Sequence, residues 1–336
     1  MRSKWFGVAV VAEVREGKFH RSTWELLGKA YELNSKLGEC VYCFVVGKVS
    51  DPKEPIYYGA NKVVYVEDPE LSPMRPREYV EVLKELVLKY RPSIVLGPAT
   101  LYGRHIMPRL AAKLRTGITA DCTDLDIDEE GNLVQIRPAS TGLVMAKIVT
   151  PKHRPQMATV RPGVMKPLPR DESRGGEVIR EEVKVRYYGD VEVIEKVRYE
   201  TKVSLAEADI IVSAGRGFRK PEDLWMAKKL AELLGGVMGV SRPLVDAGWV
   251  SRDYQVGFSG TAVSPRLYIA IGISGSVQHV TGIRGAKTVI AVNKDPNAPI
   301  FNVAQYGFVA DLYDLIPKVI DILSKLRRTK AAHQNP

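Results

Sequence analysis

The residues best suited to chemistry surround one apolar run, in the sequence LYIAIGISGSVQH. Leu267–Ile271 has the pattern of a buried parallel strand, and open α/β sheets bind ligands beyond the carboxyl ends of such strands. Gly272 and Gly275 would let a ligand approach the backbone, and a helix beginning near Gly275 would direct free N–H groups at an anion. His279 would lie on the same face of that helix. A glycine turn with a structural histidine explains the run equally well.

Polar residues also follow four other strands predicted in the same part of the chain. Arg216 follows Asp209–Val212, Ser241 and Arg242 follow Val237–Val240, Asn293 follows Thr288–Val292, and Asp311 follows Phe308–Ala310. A single loop arginine or serine is usually just solvated, but the carboxyl ends of parallel strands meet at one edge of a sheet. Groups suited to phosphate, ribose and an aromatic ring would then lie together, which favours a dinucleotide site.

Motifs typical of several other sites are missing. The sequence contains no Ser-His-Asp arrangement, no HExxH and no P-loop. Cys40 and Cys43 form a CxxC, but it lies in a β-rich apolar run, and one such pair is half a zinc site at most. We expect these two cysteines and Cys122 to be small residues of buried strands, with no metal site and no catalytic residue in the chain.

Composition and charge are those of an ordinary globular chain. The 336 residues suffice for two domains, and 45% are hydrophobic and 26% charged. No run of about 18 apolar residues predicts a transmembrane helix, and the N-terminal stretch lacks a signal-peptide pattern, so we expect a cytoplasmic protein. The net charge of +10 is dispersed among 39 acidic residues without a basic and aromatic stripe, so we expect no nucleic-acid partner.

The elements that must position the polar residues alternate between strands and helices. In the first part, strands are predicted at Trp5–Val14, Val41–Val46, Lys62–Val66 and Ser93–Leu96, with helices from the capping box Ser22–Glu25, from about Arg77 to Tyr90 and at Gly103–Leu114. Residues 121–198 are predicted to be β-rich. In the last part, Leu267–Ile271 and the four strands named above alternate with helices at Pro221–Leu234 and Leu312–Leu326.

This pattern predicts an α/β fold of two domains, each with a mainly parallel sheet flanked by helices. The second domain is expected to be Rossmann-like. The predicted limits are 1–200 for the first domain and 205–328 for the second, with a disordered tail at 329–336.

An ordered set of motifs resembles the FAD domain of the electron-transfer flavoprotein alpha subunit. The set comprises SAGRG, GVSRPLVDAGWV, YQVGFSG, LYIAIGISGSVQH, AVNKDPNAPIF and YGFVADL. GRHIMPRLAAKL and TADCTDLDID are similar to the first domain of that subunit, so the resemblance spans nearly the whole chain. It implies an electron carrier rather than a stand-alone enzyme, a heterodimer with a beta subunit, and FAD held non-covalently in the second domain.

The resemblance also implies a set of residues that contact FAD. They are Arg216, Ser241, Arg242, Val256, Gly257, Phe258, Ser259, Ser274, Gly275, Ser276, Val277, Gln278, His279, Asn293, Asp311 and Leu312. Arg242 would lie against the isoalloxazine, and Ser259 near flavin N5. His279 would face the pyrimidine end, where negative charge collects on reduction, and Asp311 the adenosine end. The family often has threonine where Ser259 stands, which keeps the hydroxyl.

The stretch HRPQMATVRPGV, at His153–Val164, resembles a branch with bifurcating and nitrogen-fixation-associated members. Electrons would come from a dehydrogenase or NADH and leave to a quinone reductase or another acceptor, and any membrane association would be through those partners. In a bifurcating complex, the beta subunit would carry a second FAD. Two other functions stay open: a stand-alone NAD-dependent enzyme that uses the same sheet edge, and a nucleotide-binding sensor.

Overall fold

The computed structural model describes residues 5–68, 71, 75–139, 144–184, 187, 194 and 205–332. The chain divides into two compact units, 1–197 and 198–336. Each unit is built on a parallel sheet flanked by helices, which confirms the predicted α/β class.

The first unit contains twelve strands and four helices among its described residues. The strands are β1 (Val8–Val11), β2 (Val14–Arg15), β3 (Lys18–Phe19), β4 (Val41–Val46), β5 (Lys62–Val66), β6 (Ile94–Pro98), β7 (Ile118–Cys122), β8 (Asp124–Ile127), β9 (Leu133–Ala139), β10 (Val144–Ile148), β11 (Gln156–Val160) and β12 (Glu177–Arg180). The helices are α1 (Arg21–Leu37), α2 (Glu54–Tyr57), α3 (Pro76–Tyr90) and α4 (Leu101–Lys113).

Seven of these strands form one parallel sheet in the order β12-β5-β4-β1-β6-β11-β7. Val8 of β1 packs in the same core as Leu26 of α1, whereas Ala9 packs in the core on the other face with Leu83 of α3. Both faces are therefore covered, as a parallel sheet requires. β8, β9 and β10 form a separate antiparallel sheet within the segment that was predicted to be β-rich.

The start of this unit differs from the prediction. The first strand is limited to Val8–Val11, and Val14 belongs to β2 instead. Glu16 and Gly17 adopt positive φ in the turn that joins β2 and β3 into a short hairpin. The N-cap of α1 is His20, whose ring accepts from the Ser22 backbone, so the predicted capping box does not form.

The second unit contains five strands and four helices among its described residues. They are β13 (Ile210–Ala214), α5 (Trp225–Leu234), β14 (Val237–Val240), α6 (Arg242–Asp246), β15 (Leu267–Ile271), α7 (Val277–Ile283), β16 (Thr288–Asn293), β17 (Tyr306–Val309) and α8 (Leu312–Ala332). All strand pairs are parallel, in the order β14-β13-β15-β16-β17. The order reverses between β13 and β15, and such a reversal opens a crevice at the carboxyl ends of the two strands.

Three helix limits in this unit depart from the prediction. The helix predicted at Pro221–Leu234 is a 3-10 turn at Pro221–Leu224 and an α-helix only at Trp225–Leu234. The helix after β15 begins at Val277 instead of near Gly275, so Gly275 lies in the loop that precedes it. The last helix continues six residues beyond Leu326, because five of the six are Arg, Lys or Ala, which are strong helix formers. Residues 329–332 of the predicted disordered tail are thus helical, and residues 333–336 lie outside the described residues.

The three cysteines are free thiols, and the two of the CxxC lie at or next to β4. Cys43 and Cys122 are buried, and burial raises the pKa of both thiols, that of Cys122 to about 12. Burial also raises the pKa of Cys40. Cys43 and Cys122 are therefore buried strand residues with unreactive thiols, as predicted, whereas Cys40 is half-buried and lies just before β4, so the prediction of a buried strand position is wrong for Cys40. Among the described residues, no cluster of three His, Cys, Asp or Glu side chains suits a metal ion, and no helix is long and apolar enough to cross a membrane.

Candidate functional site

A cavity of about 280 Å³, called here the first cavity, lies at the carboxyl ends of β13, β15, β16 and β17. Its walls are formed by the loops that follow these strands. They include Arg216, Gly217, Arg219, Ser241, Gly272, Ser274, Ser276, His279, Asn293, Lys294, Asp311, Leu312 and Tyr313.

A second cavity of about 240 Å³ adjoins the first, since Ser241, Ser276 and His279 line both. The loop at residues 255–259 forms its other wall, together with Arg242, Asp246 and Gln278. Every predicted site residue lines one of the two cavities except Gly275 and Val277. The two cavities together suit an elongated ligand with two different ends.

The glycines serve backbone contacts within the protein. Gly275 has φ +87°, and a Cβ at this position would come within 2.2 Å of the Ile300 backbone nitrogen. Gly272 has φ +62°, and its Cβ would meet Gly217 at 2.8 Å. These glycines therefore let strand-end loops touch each other, whereas the sequence suggested close approach of a ligand at both.

Two cations on the wall of the first cavity are free. The side chains of Arg216 and Lys294 are exposed, and neither forms an ion pair or hydrogen bond in the described part of the chain. Two unpaired cations at the carboxyl edge of a parallel sheet suit the charge of a phosphate group. Lys294 was not predicted as a site residue, although it directly follows β16.

Arg219 and Tyr313 form the part of the wall that is next to Asp311. The guanidinium of Arg219 lies over the Tyr313 ring, 4.5 Å from its centroid, and 3.6 Å from an Asp311 carboxylate oxygen. The Tyr313 hydroxyl accepts from the Arg219 backbone at 2.7 Å and donates to Asp223 at 2.6 Å. Burial and the Asp223 carboxylate raise the pKa of Tyr313. Sequence reasoning missed both wall residues, since only the fold brings them together.

Asp311 caps the last helix of the chain. Its Oδ1 accepts from the Tyr313 backbone N–H at 2.8 Å, which satisfies one free donor of the first turn of α8. The Asn293 amide is also occupied within the protein, because Nδ2 donates to the Ile273 carbonyl and Oδ1 accepts from the Asp295 backbone, both at 3.0 Å. Asn293 thus ties two strand-end loops together.

Ser241 is the N-cap of α6 and Arg242 is its first residue, a short helix that the sequence analysis did not predict. The Ser241 side chain makes no cap hydrogen bond and lines both cavities. Arg242 is exposed and pairs with Asp246 one turn later, with 3.2 Å between Nε and Oδ2. Arg242 lines the second cavity, but the exposed carboxylate of Asp246 already neutralises part of the charge of its guanidinium.

His279 is buried, and both ring nitrogens face the protein. Nε2 shares a hydrogen bond with the Tyr268 hydroxyl at 2.9 Å, and Nδ1 is enclosed without a hydrogen-bonding partner of acceptable geometry among the described residues. Burial lowers the pKa of His279 to about 4, although the Val256 backbone acts weakly in the opposite direction. The imidazole is neutral at pH 7, so a cationic ring that attracts flavin charge is disfavoured here.

Comparison with known proteins shows the family. The electron transfer flavoprotein domain matches residues 8–185, and the electron transfer flavoprotein FAD-binding domain matches residues 204–284. The electron transfer flavoprotein subunit alpha of Thermoanaerobacterium thermosaccharolyticum is 46% identical over 95% of this chain and 98% of that protein. The chain belongs to the electron-transfer flavoprotein alpha subunit family. Members of this family normally pair with a beta subunit, and the cofactor is FAD.

Two further relatives of this alpha subunit carry other names. The lactate dehydrogenase (NAD(+),ferredoxin) subunit LctC of Acetobacterium woodii is 41% identical over 96% of this chain and 78% of that protein. Protein FixB of Clostridium saccharobutylicum is 40% identical over 94% of this chain and 95% of that protein. These similarities confirm the predicted function class, an electron-transfer flavoprotein alpha subunit.

The observed site fits FAD. The first cavity carries free cations and a carboxylate, which suit a pyrophosphate and a ribose, while the second has the amphipathic loop 255–259 for a ring. Phe258 is an exposed residue of that loop, and its backbone N–H donates to the Gln278 carbonyl at 2.8 Å. This bond holds the loop against the beginning of α7.

Proposed function

We propose that the chain holds FAD across the two adjoining cavities and passes electrons between a dehydrogenase or NADH and a quinone reductase or another acceptor. The observation that carries this proposal is the pair of free cations, Arg216 and Lys294, in the wall of a cavity at the strand-order reversal. This arrangement supports a dinucleotide, because two phosphates need compensating charge at that edge.

Each end of the site has its own task in this proposal. Arg216 and Lys294 bind the pyrophosphate, and Asp311 accepts a hydrogen bond at the adenosine end. Arg242 and Ser259 lie at the ring, where a positive charge and a hydroxyl donor favour added electron density. FAD supplies the redox chemistry, and the protein contributes binding, orientation and electrostatics. The other predicted contacts, including Val256, Gly257, Ser274, Ser276 and Leu312, shape the two cavity walls.

We propose further that the physiological complex bifurcates electrons. Support comes from the 41% identity to LctC, a subunit of a lactate dehydrogenase (NAD(+),ferredoxin), and from the stretch at His153–Val164. NADH would then be the donor, and a second FAD would be carried mainly by the beta subunit. The alternative within the same family is a simple carrier between two flavoproteins. A cytoplasmic location stays a prediction.

The experiment that tests the site uses the chain co-expressed with its beta subunit. Flavin absorbance and FAD content of the purified heterodimer are measured first. We expect Arg216→Ala and Lys294→Ala each to weaken FAD binding about ten- to a hundredfold, the usual effect of losing a charged hydrogen bond of about 1.5–3 kcal/mol. Lys287→Ala, at an exposed lysine outside both cavities, is the matched control.

The outcomes separate the proposal from its rivals. A colourless heterodimer that binds NAD or ATP would favour the stand-alone enzyme or the sensor. If the heterodimer contains flavin and all three variants bind FAD equally, Arg216 and Lys294 do not bind the pyrophosphate. Bifurcation is tested by adding NADH, and it requires that a low-potential acceptor is reduced only while a high-potential acceptor is also present.

A further inference from the structure

The buried amide of Gln255 lies directly behind the hydroxyl of Ser259. Gln255 is only 4% exposed, and its Nε2 donates to the Ser259 Oγ at 2.9 Å. Both residues line the second cavity, and Ser259 is half-buried. The Gln255 amide is thus hydrogen-bonded to the hydroxyl of Ser259, which is predicted to lie near the flavin ring.

The direction of this hydrogen bond determines what the hydroxyl can do next. A serine hydroxyl has one proton to donate and two lone pairs that accept. Gln255 donates, so it occupies a lone pair of Ser259 and leaves the proton free. In the described part of the chain, no protein group accepts a hydrogen bond from this hydroxyl. The proton is therefore available to a ligand in the cavity.

The backbone holds the two residues in this arrangement. The Gln255 carbonyl accepts from the Thr261 N–H at 2.8 Å, and its N–H donates to the Arg252 carbonyl at 3.0 Å. The Arg252 guanidinium donates to the Ser259 carbonyl at 3.1 Å. A Cβ on Gly260 would come within 2.4 Å of the Gln255 carbonyl oxygen, so the loop closes tightly on itself. The orientation of the hydroxyl is thus built into the loop.

We propose that Gln255 is a positioning residue that directs the Ser259 proton into the second cavity, towards the flavin ring. This inference rests on the proposed function, because it needs FAD at that position. A donor that is fixed before the ligand arrives stabilises negative charge without any reorganisation. Gln255 therefore raises the potential at which the bound flavin takes its first electron, and it does so only through Ser259.

The test is a double-mutant cycle in the FAD-loaded heterodimer, read by spectroelectrochemical titration. We expect Gln255→Met to make the first reduction about tenfold less favourable, which equals a potential about 59 mV lower. Ser259→Ala should lower the potential by at least as much. In the Ser259→Ala background, Gln255→Met should cause no further shift, because no hydroxyl remains to be directed.

A second variant covers the case in which methionine disturbs the buried loop. Gln255→Glu keeps the shape of the side chain, but an ionised carboxylate only accepts, so the Ser259 proton should turn towards it. We expect Gln255→Glu to lower the first reduction potential when Ser259 is present, and to lower it less in the Ser259→Ala background. Ser259→Thr keeps the hydroxyl and should leave the potential close to that of the parent.

The inference is overturned if Gln255→Met has the potential of the parent, or if the shift persists in full without Ser259. It is also overturned if Ser259→Ala leaves the potential unmoved, or if Gln255→Glu loses FAD while Ser259→Ala retains it. The flavin content of the parent heterodimer distinguishes a failure of the proposed function from a failure of the role inferred for Gln255. A parent without flavin refutes the proposed function, whereas a flavin-loaded parent with unresponsive variants refutes only the role of Gln255.

Discussion

The Asp311 carboxylate already has two partners in the folded chain, the backbone of α8 through Oδ1 and Arg219 through Oδ2. Its charge and its capping function can therefore be separated by substitution. An asparagine keeps an oxygen for the Tyr313 N–H but replaces the second oxygen by a donor. An alanine removes both, and losing a helix cap typically costs about 1 kcal/mol.

We predict that Asp311→Asn weakens FAD binding about tenfold and leaves both the melting temperature and the flavin potential nearly unchanged. Asp311→Ala should weaken binding similarly and also lower the melting temperature. Fluorescence titration with FAD and thermal unfolding of the FAD-free protein give the two quantities. A large change in flavin potential at normal FAD content would contradict the position at the adenosine end.

His279 makes stability depend on pH in a definite direction. The pKa of His279 is about 4 in the folded chain, whereas the ordinary value of a histidine, which applies to the unfolded chain, is 6.5. Between pH 4 and pH 6.5 the unfolded chain therefore binds a proton at His279 that the folded chain does not bind. The free energy of unfolding should therefore fall as the pH is lowered from 6.5 to 4, by up to about 1.4 kcal/mol per pH unit. Above pH 6.5 the imidazole is neutral in both the folded and the unfolded chain, so His279 does not make the free energy of unfolding depend on pH there.

We predict that His279→Gln flattens this part of the pH profile, because the variant has no group that titrates there. Urea unfolding of the FAD-free chain at several pH values between 4.5 and 7.5 would measure it. His105→Gln, at an exposed histidine of the first unit, is the control substitution. Equal slopes for all three proteins would show that His279 does not titrate differently on folding.

At the scale of elements, the loop between β15 and α7 depends on a glycine with a close neighbour. Gly275 has φ +87° and a Cβ position only 2.2 Å from the Ile300 nitrogen. Gly235 at the end of α5 has φ +72° with open space around it. Alanine at either position pays the strain of a left-handed backbone, about 1–2 kcal/mol, but only alanine at Gly275 collides with a neighbouring backbone.

We predict that Gly275→Ala destabilises the protein clearly more than Gly235→Ala and reduces FAD content, because the displaced loop carries Ser274 and Ser276 of the cavity wall. Gly235→Ala should bind FAD normally. Chemical unfolding and flavin content of both variants give the comparison. Similar losses in the two variants would mean that the loop adapts and that only backbone strain matters.

At the scale of the whole molecule, exposed apolar strands bear on association. Tyr306, Phe308 and Val309 of β17 are 61%, 49% and 59% exposed, and β17 is the last strand in its sheet. Val144 and Met145 of β10, also the last strand of its sheet, are 61% and 47% exposed. Exposed apolar edge strands are surfaces that pair with other chains.

We predict that the chain self-associates when it is produced without its beta subunit and becomes monodisperse as a heterodimer. Size-exclusion chromatography with light scattering measures both. Phe308→Lys should reduce self-association of the isolated chain, whereas Leu101→Lys, at an exposed leucine of α4, should not. A monodisperse, FAD-loaded monomer of the isolated chain would contradict the prediction.

The sequence alone determined the class of fold, the family and the limits of four of the nine predicted strands. Val41–Val46, Lys62–Val66, Val237–Val240 and Leu267–Ile271 were predicted with the limits that the structure shows. Short runs of β-branched and apolar residues between turn residues are a local signal, because a strand buried on both faces must be apolar throughout. The polar residues after the strands of the second unit also predicted the edge on which the cavities lie.

Only the tertiary structure decided what each side chain at that edge contacts. Gly275 accommodates Ile300, His279 turns its nitrogens towards Tyr268 and the interior, and Arg219 packs on Tyr313. Each of these contacts either joins segments that are distant in sequence or depends on a side-chain rotamer. Contacts of both kinds leave no periodic pattern in the sequence. Sequence spacing therefore brings residues to the same edge of a sheet, while the packing of neighbouring loops fixes the direction of their polar atoms.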